Sequence, residues 1–273
     1  MTTRHTVPYL HAPLDGAISR GSKMLDAQDF DFSGKTVLVT GAASGIGSAV
    51  AGIFAEHGAT LRLADRNPDG LQSRAESLST SDAQMRVYDQ RSPDDLRALA
   101  KWASDADVLF NNAGIVAYGP SESLSDTDIQ AVIETNLTGP ILLANAIGRH
   151  MLARGSGVII NTTSQLAFCG APERAVYAST KAGLAQFTRS VGSEWAGRGV
   201  RVAAIAPGRT LTPLNSARLS EPALRQEALR GIPSGRFGEA EEIARLVLML
   251  ASDVAGYVVG HSLIADGGYV SLQ

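Results

Sequence analysis

The 273-residue chain has only one cysteine, Cys169, so an internal disulfide bond is impossible. It also lacks any run of about eighteen apolar residues, the length that a membrane-spanning helix requires. Its first thirty residues lack the apolar core of a secretory signal peptide. These absences favour a reducing environment, and we expect the protein to be cytoplasmic.

An excess of positive charge is absent as well. Lysine and arginine number 24 against 27 acidic residues, which gives a formal net charge of −3. Proteins that bind nucleic acid or anionic membranes normally carry a basic patch, so we expect small-molecule partners instead. The five histidines do not cluster, and the His-Glu-x-x-His, Walker A and Gly-x-Ser-x-Gly motifs are missing. The sequence therefore indicates neither a metal site nor a serine hydrolase.

Hydrophobic residues, in contrast, make up 44% of the chain. From Lys35 onward, short apolar runs alternate with segments of helical length, a pattern typical of parallel strands that are covered on both faces. Seven strands are predicted, at residues 36–39, 60–64, 84–88, 107–110, 158–161, 200–206 and 262–265. We therefore predict an α/β fold with a doubly wound, seven-stranded parallel sheet and helices on both faces, which is the Rossmann fold.

Two segments depart from this alternation. Residues 1–32 have no hydrophobic periodicity, so we expect an N-terminal arm or disordered lead without a catalytic role. Residues 33–273 are expected to form a single catalytic domain. Within it, residues 209–235 form an insertion at the carboxyl edge of the sheet, with two short helices near 213–219 and 222–230. We expect this insertion to cover the substrate.

A glycine-rich turn follows the first predicted strand directly. Gly41, Gly45 and Gly47 have the spacing Gly-x-x-x-Gly-x-Gly and precede an amphipathic stretch. Glycines let the backbone approach a pyrophosphate closely, and the start of a helix attracts its negative charge. Asp65 ends the second strand, eighteen residues after Gly47, where a carboxylate can bind both hydroxyls of an adenosine ribose. The sequence therefore predicts a dinucleotide cofactor.

Three further residues have the chemistry of an acid/base centre. Tyr177 and Lys181 are four residues apart in a predicted helix, so both side chains lie on one face. An ammonium group near a phenol favours the phenolate and lowers the tyrosine pKa. Ser164 follows the fifth strand, which places its hydroxyl at the carboxyl end of the sheet. Taken singly, the Tyr–Lys spacing also arises by chance, and a serine at a strand end is often a turn former.

From Phe32 to the C-terminus, the sequence resembles the short-chain dehydrogenase/reductase family. The family's motifs occur in order: Thr40 to Gly47, Asp89, Asn111 to Gly114, Asn136, Ser164, Tyr177-Ala-Ser-Thr-Lys181, and Pro207-Gly208 followed by Thr212. The resemblance implies that Ser164 holds the substrate oxygen and that Tyr177 exchanges its proton. It implies that Lys181 lowers the tyrosine pKa and grips the nicotinamide ribose, and that Asn136 holds a water in a proton relay.

Because the carboxylate of Asp65 should bind the ribose diol and repel a 2′-phosphate, we expect NAD as the cofactor. The resemblance also implies a homotetramer in which the helices containing Asn136 and Tyr177 pack across one interface. The implied cofactor-binding residues are Gly41, Ser44, Gly45, Ile46, Gly47, Asp65, Arg66, Asp89, Asn112, Ala113, Gly114, Tyr177, Lys181, Pro207, Gly208, Thr210 and Thr212. Among them, Asp89 is expected beside the adenine ring, and Thr212 beside the nicotinamide carboxamide.

Together these observations predict an NAD(H)-dependent oxidoreductase that interconverts a secondary alcohol and a ketone. Arg209, directly after Gly208, favours a polyol, sugar or hydroxy acid as substrate, unless it points to solvent or pairs with a surface acid. Other candidate substrate residues are polar Gln165, Asn215 and Arg218, and apolar Phe168, Leu211 and Leu214.

Two alternatives remain open. An NADPH-dependent 3-oxoacyl-acyl-carrier-protein reductase has the same motifs, and Arg66 could clamp its 2′-phosphate if Asp65 turned away. A non-catalytic dinucleotide-binding protein is the other alternative, against which the intact set of Ser164, Asn136, Tyr177 and Lys181 argues.

Overall fold

A computed structural model of the chain describes residues 26–78 and 83–272, without the side chains of Ala217 and Arg218. Most of the predicted N-terminal arm, residues 1–25, therefore lies outside the described part. Its remaining residues include a short 3-10 helix, Ala27–Phe30. Phe32 is buried and packs edge-on against Phe54, with 4.8 Å between ring centroids.

The sheet has seven parallel strands, which confirms the predicted fold. The strands are β1 Thr36–Thr40, β2 Thr60–Asp65, β3 Ala83–Val87, β4 Val108–Asn111, β5 Gly157–Thr162, β6 Val200–Pro207 and β7 Ser262–Ala265. Their spatial order is β3-β2-β1-β4-β5-β6-β7, so the order reverses between β1 and β4. In a sheet of this kind, ligands bind at the carboxyl ends of the strands beside that reversal.

Helices cover both faces of the sheet. They are α1 Gly45–Glu56, α2 Pro68–Ser77, α3 Pro93–Trp102, α4 Asp126–Ile133, α5 Gly139–Arg154, α6 Ala175–Trp195, α7 Pro213–Leu219, α8 Pro222–Arg230 and α9 Ala240–Ala251. Val37 and Val39 of β1 pack with α1 and α9 on one face, whereas Leu38 packs with α3 and α5 on the other. This division follows from the alternation of side chains along a strand.

The predicted insertion contains α7 and α8, with the bounds expected from the sequence. A small apolar cluster of Ala228, Ile232 and Phe237 holds this region together, with Leu219 and Leu229 packed against it. A π-helical segment, Glu134–Thr138, joins α4 to α5 and was not predicted.

Candidate active site

One cleft of about 1050 Å³ lies at the carboxyl ends of the strands. It is lined by every predicted cofactor residue except Gly47, and also by Ser164, Tyr177 and Lys181. Asn136 does not line it, because its side chain is fully buried behind the cleft wall. The fold thus gathers residues that are far apart in sequence.

The glycine turn after β1 needs glycine for two different reasons. Gly41 and Gly45 have φ values of +66° and +56°, a region that side chains with a Cβ rarely adopt. Gly47 instead permits close packing, because a Cβ there would lie 2.0 Å from the carbonyl oxygen of Gly41. Gly47 therefore shapes the turn from behind rather than facing the cleft.

The start of α1 has the properties of an anion site. Ser44 occupies the N-cap position but makes no side-chain capping hydrogen bond, so no side chain satisfies the free N–H groups of the first turn. These amides and the helix dipole favour a negative group, and Ser44, Gly45 and Ile46 line the cleft. The turn fits a dinucleotide pyrophosphate.

Asp65 is anchored beside this turn. Its Oδ2 accepts a hydrogen bond from the Ala43 amide at 3.1 Å, and its Oδ1 accepts one from the Asn67 amide at 3.0 Å. Each carboxylate oxygen has a second lone pair with which to accept a hydroxyl. Arg66, which also lines the cleft, is exposed.

Asp89 lies at the same end of the cleft and forms an ion pair with Arg91, at 2.8 Å. Hydrogen bonds from the Arg91 side chain and backbone hold the pKa of this carboxyl below its usual value. Asp89 is therefore ionised, and Arg91 joins it in lining the cleft.

The loop after β4 is bound to β1 at the point where the strand order reverses. Thr40 Oγ1 accepts hydrogen bonds from the amides of Asn112 at 2.8 Å and Ala113 at 3.2 Å. The Asn112 side chain donates to the Thr40 carbonyl at 3.1 Å. These bonds hold two walls of the cleft together.

Ser164 and Tyr177 form the polar centre of the cleft. Their side chains lie close enough to interact, and Ser164 Oγ accepts the Leu166 amide at 3.2 Å. Burial raises the pKa of the Tyr177 phenol, while the neighbouring Ser164 hydroxyl and the charge of Arg174 lower it in part. Tyr177 therefore holds its proton firmly.

Lys181 lies beneath this pair and is only 4% exposed. Its Nζ donates to the Thr162 carbonyl at 2.8 Å and lies 5.8 Å from the centroid of the Tyr177 ring. Burial lowers the pKa of its ammonium group to about 8. The expected net lowering of the Tyr177 pKa is not found, because the cost of burying a phenolate outweighs the favourable interactions.

Asn136 is in the π-helical segment. Its Nδ2 donates to the Ile115 carbonyl at 2.8 Å, and its Oδ1 accepts the Ile115 amide at 2.9 Å. Gly114 separates it from Lys181: a Cβ at Gly114 would lie 3.2 Å from Asn136 Oδ1 and 3.6 Å from Lys181 Nζ. Asn136 is thus near the lysine but occupied with the backbone of the neighbouring loop.

The predicted substrate residues have different placements. Gln165 lines the cleft, is 3% exposed, and its Oε1 has no hydrogen-bond partner. Leu214 also lines the cleft, whereas Leu211 and Phe168 do not. Phe168 is the C-cap residue of the short 3-10 helix Gln165–Ala167 and is partly buried outside the cleft lining. The Arg218 side chain lies outside the described part.

Asn215 lines the cleft, and both polar atoms of its side chain bind backbone. Its Oδ1 accepts the Thr212 amide at 3.2 Å, and its Nδ2 donates to the Thr210 carbonyl at 2.7 Å. Both polar atoms are therefore used to shape the loop that leads into α7.

Arg209 lines the cleft but fits neither sequence interpretation in full. Its guanidinium donates to the Ala228 carbonyl of α8 and lies 5.4 Å from the centroid of the Tyr269 ring. It thus neither extends into solvent nor pairs with a surface acid. Its main contacts join the loop after β6 to the insertion.

Comparison with known proteins identifies the family. Residues 41–270 match the family model described as enoyl-(acyl carrier protein) reductase. D-threitol dehydrogenase of Mycolicibacterium smegmatis is 38% identical over 252 residues, which are 88% of this chain and 95% of that protein. The 3-oxoacyl-acyl-carrier-protein reductase of Thermotoga maritima is 38% identical over 244 residues, 87% of this chain and 98% of that protein.

A similar protein of known structure supports the same family. A Beutenbergia cavernae protein, assigned as an NAD(P)-dependent gluconate 5-dehydrogenase with NADP bound at low occupancy, is 37% identical. The similarity has a TM-score of 0.86 and covers 89% of this chain and 99% of that one. The chain belongs to the short-chain dehydrogenase/reductase family.

The cleft of this short-chain dehydrogenase/reductase also contains residues that the sequence analysis missed. The Arg174 guanidinium lies 4.8 Å from the Tyr118 ring centroid, and both residues line the cleft. Glu173 has a φ of +61°, the only positive value among the described non-glycine residues. Arg174 precedes Tyr177 by three residues, and that helical spacing was a usable signal. Glu227 and Tyr269 line the same region.

The described residues of this short-chain dehydrogenase/reductase contain neither a metal-binding cluster nor a membrane-spanning helix. Within residues 26–78 and 83–272, no group of three or more His, Cys, Asp or Glu side chains could hold a metal ion. No helix in those residues is long and apolar enough to cross a membrane.

Proposed function

We propose that this protein is an NAD-preferring oxidoreductase that interconverts a secondary alcohol and a ketone on a small polar substrate: a polyol, a sugar or a hydroxy acid. The observation that carries the proposal is that Ser164, Tyr177 and Lys181 line one cleft, with Lys181 Nζ 5.8 Å from the centroid of the Tyr177 ring. The cytoplasmic location and the homotetramer expected from the sequence belong to the same proposal.

In this mechanism, the bound nicotinamide supplies the hydride chemistry. Ser164 Oγ holds the substrate oxygen, and Tyr177 Oη removes the hydroxyl proton during oxidation or supplies it during reduction. Lys181 holds a largely positive charge near the phenol at neutral pH, since its pKa is about 8. That charge favours the phenolate during proton transfer.

The preference for NAD rests on Asp65. Both of its carboxylate oxygens bind backbone amides, so turning away to expose Arg66 would break two charge-assisted hydrogen bonds. A 2′-phosphate next to the fixed carboxylate would be repelled. Steady-state kinetics with both cofactors test this step, and a clear preference for NADP would revive the acyl reductase alternative.

The proposal of a polar substrate is supported by polar side chains that line the cleft. The Gln165 Oε1 atom without a partner and the charged side chains of Arg174 and Glu227 suit hydroxyl or carboxylate groups. The relatives named as threitol and gluconate dehydrogenases act on substrates of this kind. The insertion contributes Leu219, Leu224, Glu227, Ala228 and Gly231 to the lining, which supports its proposed role as a substrate cover.

A matched pair of substrates tests the proposal. D-sorbitol and D-gluconate share a carbon skeleton and differ in one carboxylate. We expect turnover of at least one with NAD, and faster NADPH-dependent reduction of a 3-oxoacyl thioester would overturn the assignment.

The variant Arg174→Gln then tests how the substrate is recognised. Loss of the guanidinium should lower kcat/KM for D-gluconate by about tenfold or more, the scale of a charge-assisted hydrogen bond. The variant also changes the electrostatic surroundings of Tyr177, but that change affects the turnover of both substrates. The ratio of kcat/KM for D-gluconate to kcat/KM for D-sorbitol therefore reports substrate binding. Arg198→Gln, at an exposed arginine, is the control. An unchanged ratio would remove Arg174 from substrate recognition.

A further inference from the structure

Gln90 is a buried amide that connects two parts of the site. It is 5% exposed and follows Asp89 at the cofactor end of the cleft. Its Nε2 donates to the Thr135 carbonyl at 2.6 Å and to the Ala113 carbonyl at 3.1 Å. Its Oε1 accepts the hydroxyl of Tyr88, which burial keeps protonated by raising its pKa. Every polar atom of this side chain is therefore used.

The Thr135 carbonyl needs an outside donor. In an α-helix it would accept the Gly139 amide, but that amide bonds to Glu134 instead, in the π-helical pattern. The next candidate is Pro140, which has no N–H group. Gln90 thus satisfies a carbonyl that the helix itself leaves without a donor.

The start of α5 approaches the Gln90 side chain closely. A Cβ at Gly139 would lie 2.5 Å from Gln90 Cγ, so glycine at this position lets the helix approach the amide. Next to Thr135, Asn136 bonds to both backbone polar atoms of Ile115. Two amides, Gln90 and Asn136, therefore join the same loop to the same π-helical segment.

We propose that Gln90 is a positioning residue: it holds the π-helical segment against the loop 113–115 and thereby sets Asn136 and Gly114 next to Lys181. The inference rests on the proposed function, because its catalytic consequence is proton exchange through the Tyr177 and Lys181 centre. Removal of the amide leaves the Thr135 carbonyl buried without a donor. The segment that bears Asn136 then shifts relative to Lys181.

Gln90→Leu and Gln90→Glu test this role. Gln72→Leu is the matched control, because Gln72 is an exposed amide on α2 that bonds within its own helix to Glu76, at 2.6 Å. We expect Gln90→Leu to lower kcat by about tenfold and to increase the solvent deuterium isotope effect on kcat, with the KM values and the NAD Kd changed less than about threefold.

The glutamate variant adds a pH signature. A protonated carboxyl can donate one hydrogen bond to the Thr135 carbonyl, whereas a carboxylate cannot. The kcat of Gln90→Glu should therefore fall as pH rises through the pKa of that buried carboxyl. The wild type lacks this decrease in its profile of kcat against pH. A merely structural residue would change stability but not this profile.

Amide hydrogen exchange supplies a readout that does not depend on turnover. Exchange should accelerate in residues 113–115 and 134–139 of Gln90→Leu, and not in the Gln72→Leu control. The proposal would be overturned if a folded Gln90→Leu had the kcat, the isotope effect and the amide exchange of the wild type. It would also be overturned if kcat and NAD affinity fell by equal factors. If the wild type turns over no substrate, the proposed function fails while the exchange result still decides whether Gln90 positions the segment.

Discussion

Replacing Lys181 with methionine should abolish activity and yet stabilise the protein at neutral pH. The side chain is 4% exposed, and its pKa is lowered by burial from 10.5 to about 8. At about 1.4 kcal/mol per pH unit, burial of the charged form costs the native state about 3 kcal/mol. Loss of the hydrogen bond to the Thr162 carbonyl offsets about 1 to 2 kcal/mol of that gain. Lys181→Met should thus be about 1 to 2 kcal/mol more stable at pH 7.

The same reasoning predicts how this difference depends on pH. Between about pH 8 and pH 10.5, the unfolded chain holds a proton on Lys181 that the native protein has released. Wild-type stability therefore rises with pH across this window relative to the variant. Above it, the charge penalty is gone and only the lost hydrogen bond remains, so the variant becomes the less stable protein.

Urea unfolding of both proteins at pH 7 and near pH 10.5, without added cofactor, measures the difference. Lys101→Met, at an exposed lysine on α3, controls for the general loss of a charge. A difference between wild type and Lys181→Met that does not change with pH would refute the reasoning. So would a wild type that is the more stable protein at pH 7.

Two further predictions concern the site. Tyr177→Phe removes the proposed acid/base group and should lower kcat by at least about a hundredfold, with the NAD Kd, measured by fluorescence titration, nearly unchanged; near wild-type turnover would contradict the mechanism. Asp65→Asn removes the charge but keeps an acceptor for one of the two amides, so the NADP-to-NAD ratio of kcat/KM should rise about tenfold or more. A constant ratio in steady-state kinetics would mean that Asp65 does not select the cofactor.

Much of the fold could be predicted because its determinants are local. Runs of apolar residues about five long, separated by helical segments, specify strands that are buried on both faces. The edge strand β3, Ala83–Val87, has no fully buried residue and was still recognised from its β-rich composition. The π-helical segment was not, because the donor to its Thr135 carbonyl is Gln90, which lies 45 residues away in sequence.

Side-chain partners were harder to predict than side-chain positions. Arg209 and Asn215 lie where the sequence placed them, but both bond to backbone carbonyls or amides. The sequence does not state which buried carbonyl lacks a donor, so it could not reveal these partners. Arg174 was missed although its three-residue spacing from Tyr177 was visible in the sequence. Its contact with Tyr118, which crosses from one loop to another, was not visible there.

The sequence by itself determined the order of the strands along the chain, the glycine turn, and the presence of Ser164, Tyr177 and Lys181. Each of these features depends on the identity and spacing of residues that are close together in the chain. Only the tertiary structure decided the ionisation of this centre. Burial raises the pKa of Tyr177 and lowers that of Lys181, and burial is a property of everything packed around a group. It likewise decided that Gln90 and Asn136 join the loop after β4 to the helix, since a hydrogen bond between distant residues exists only once the chain is folded.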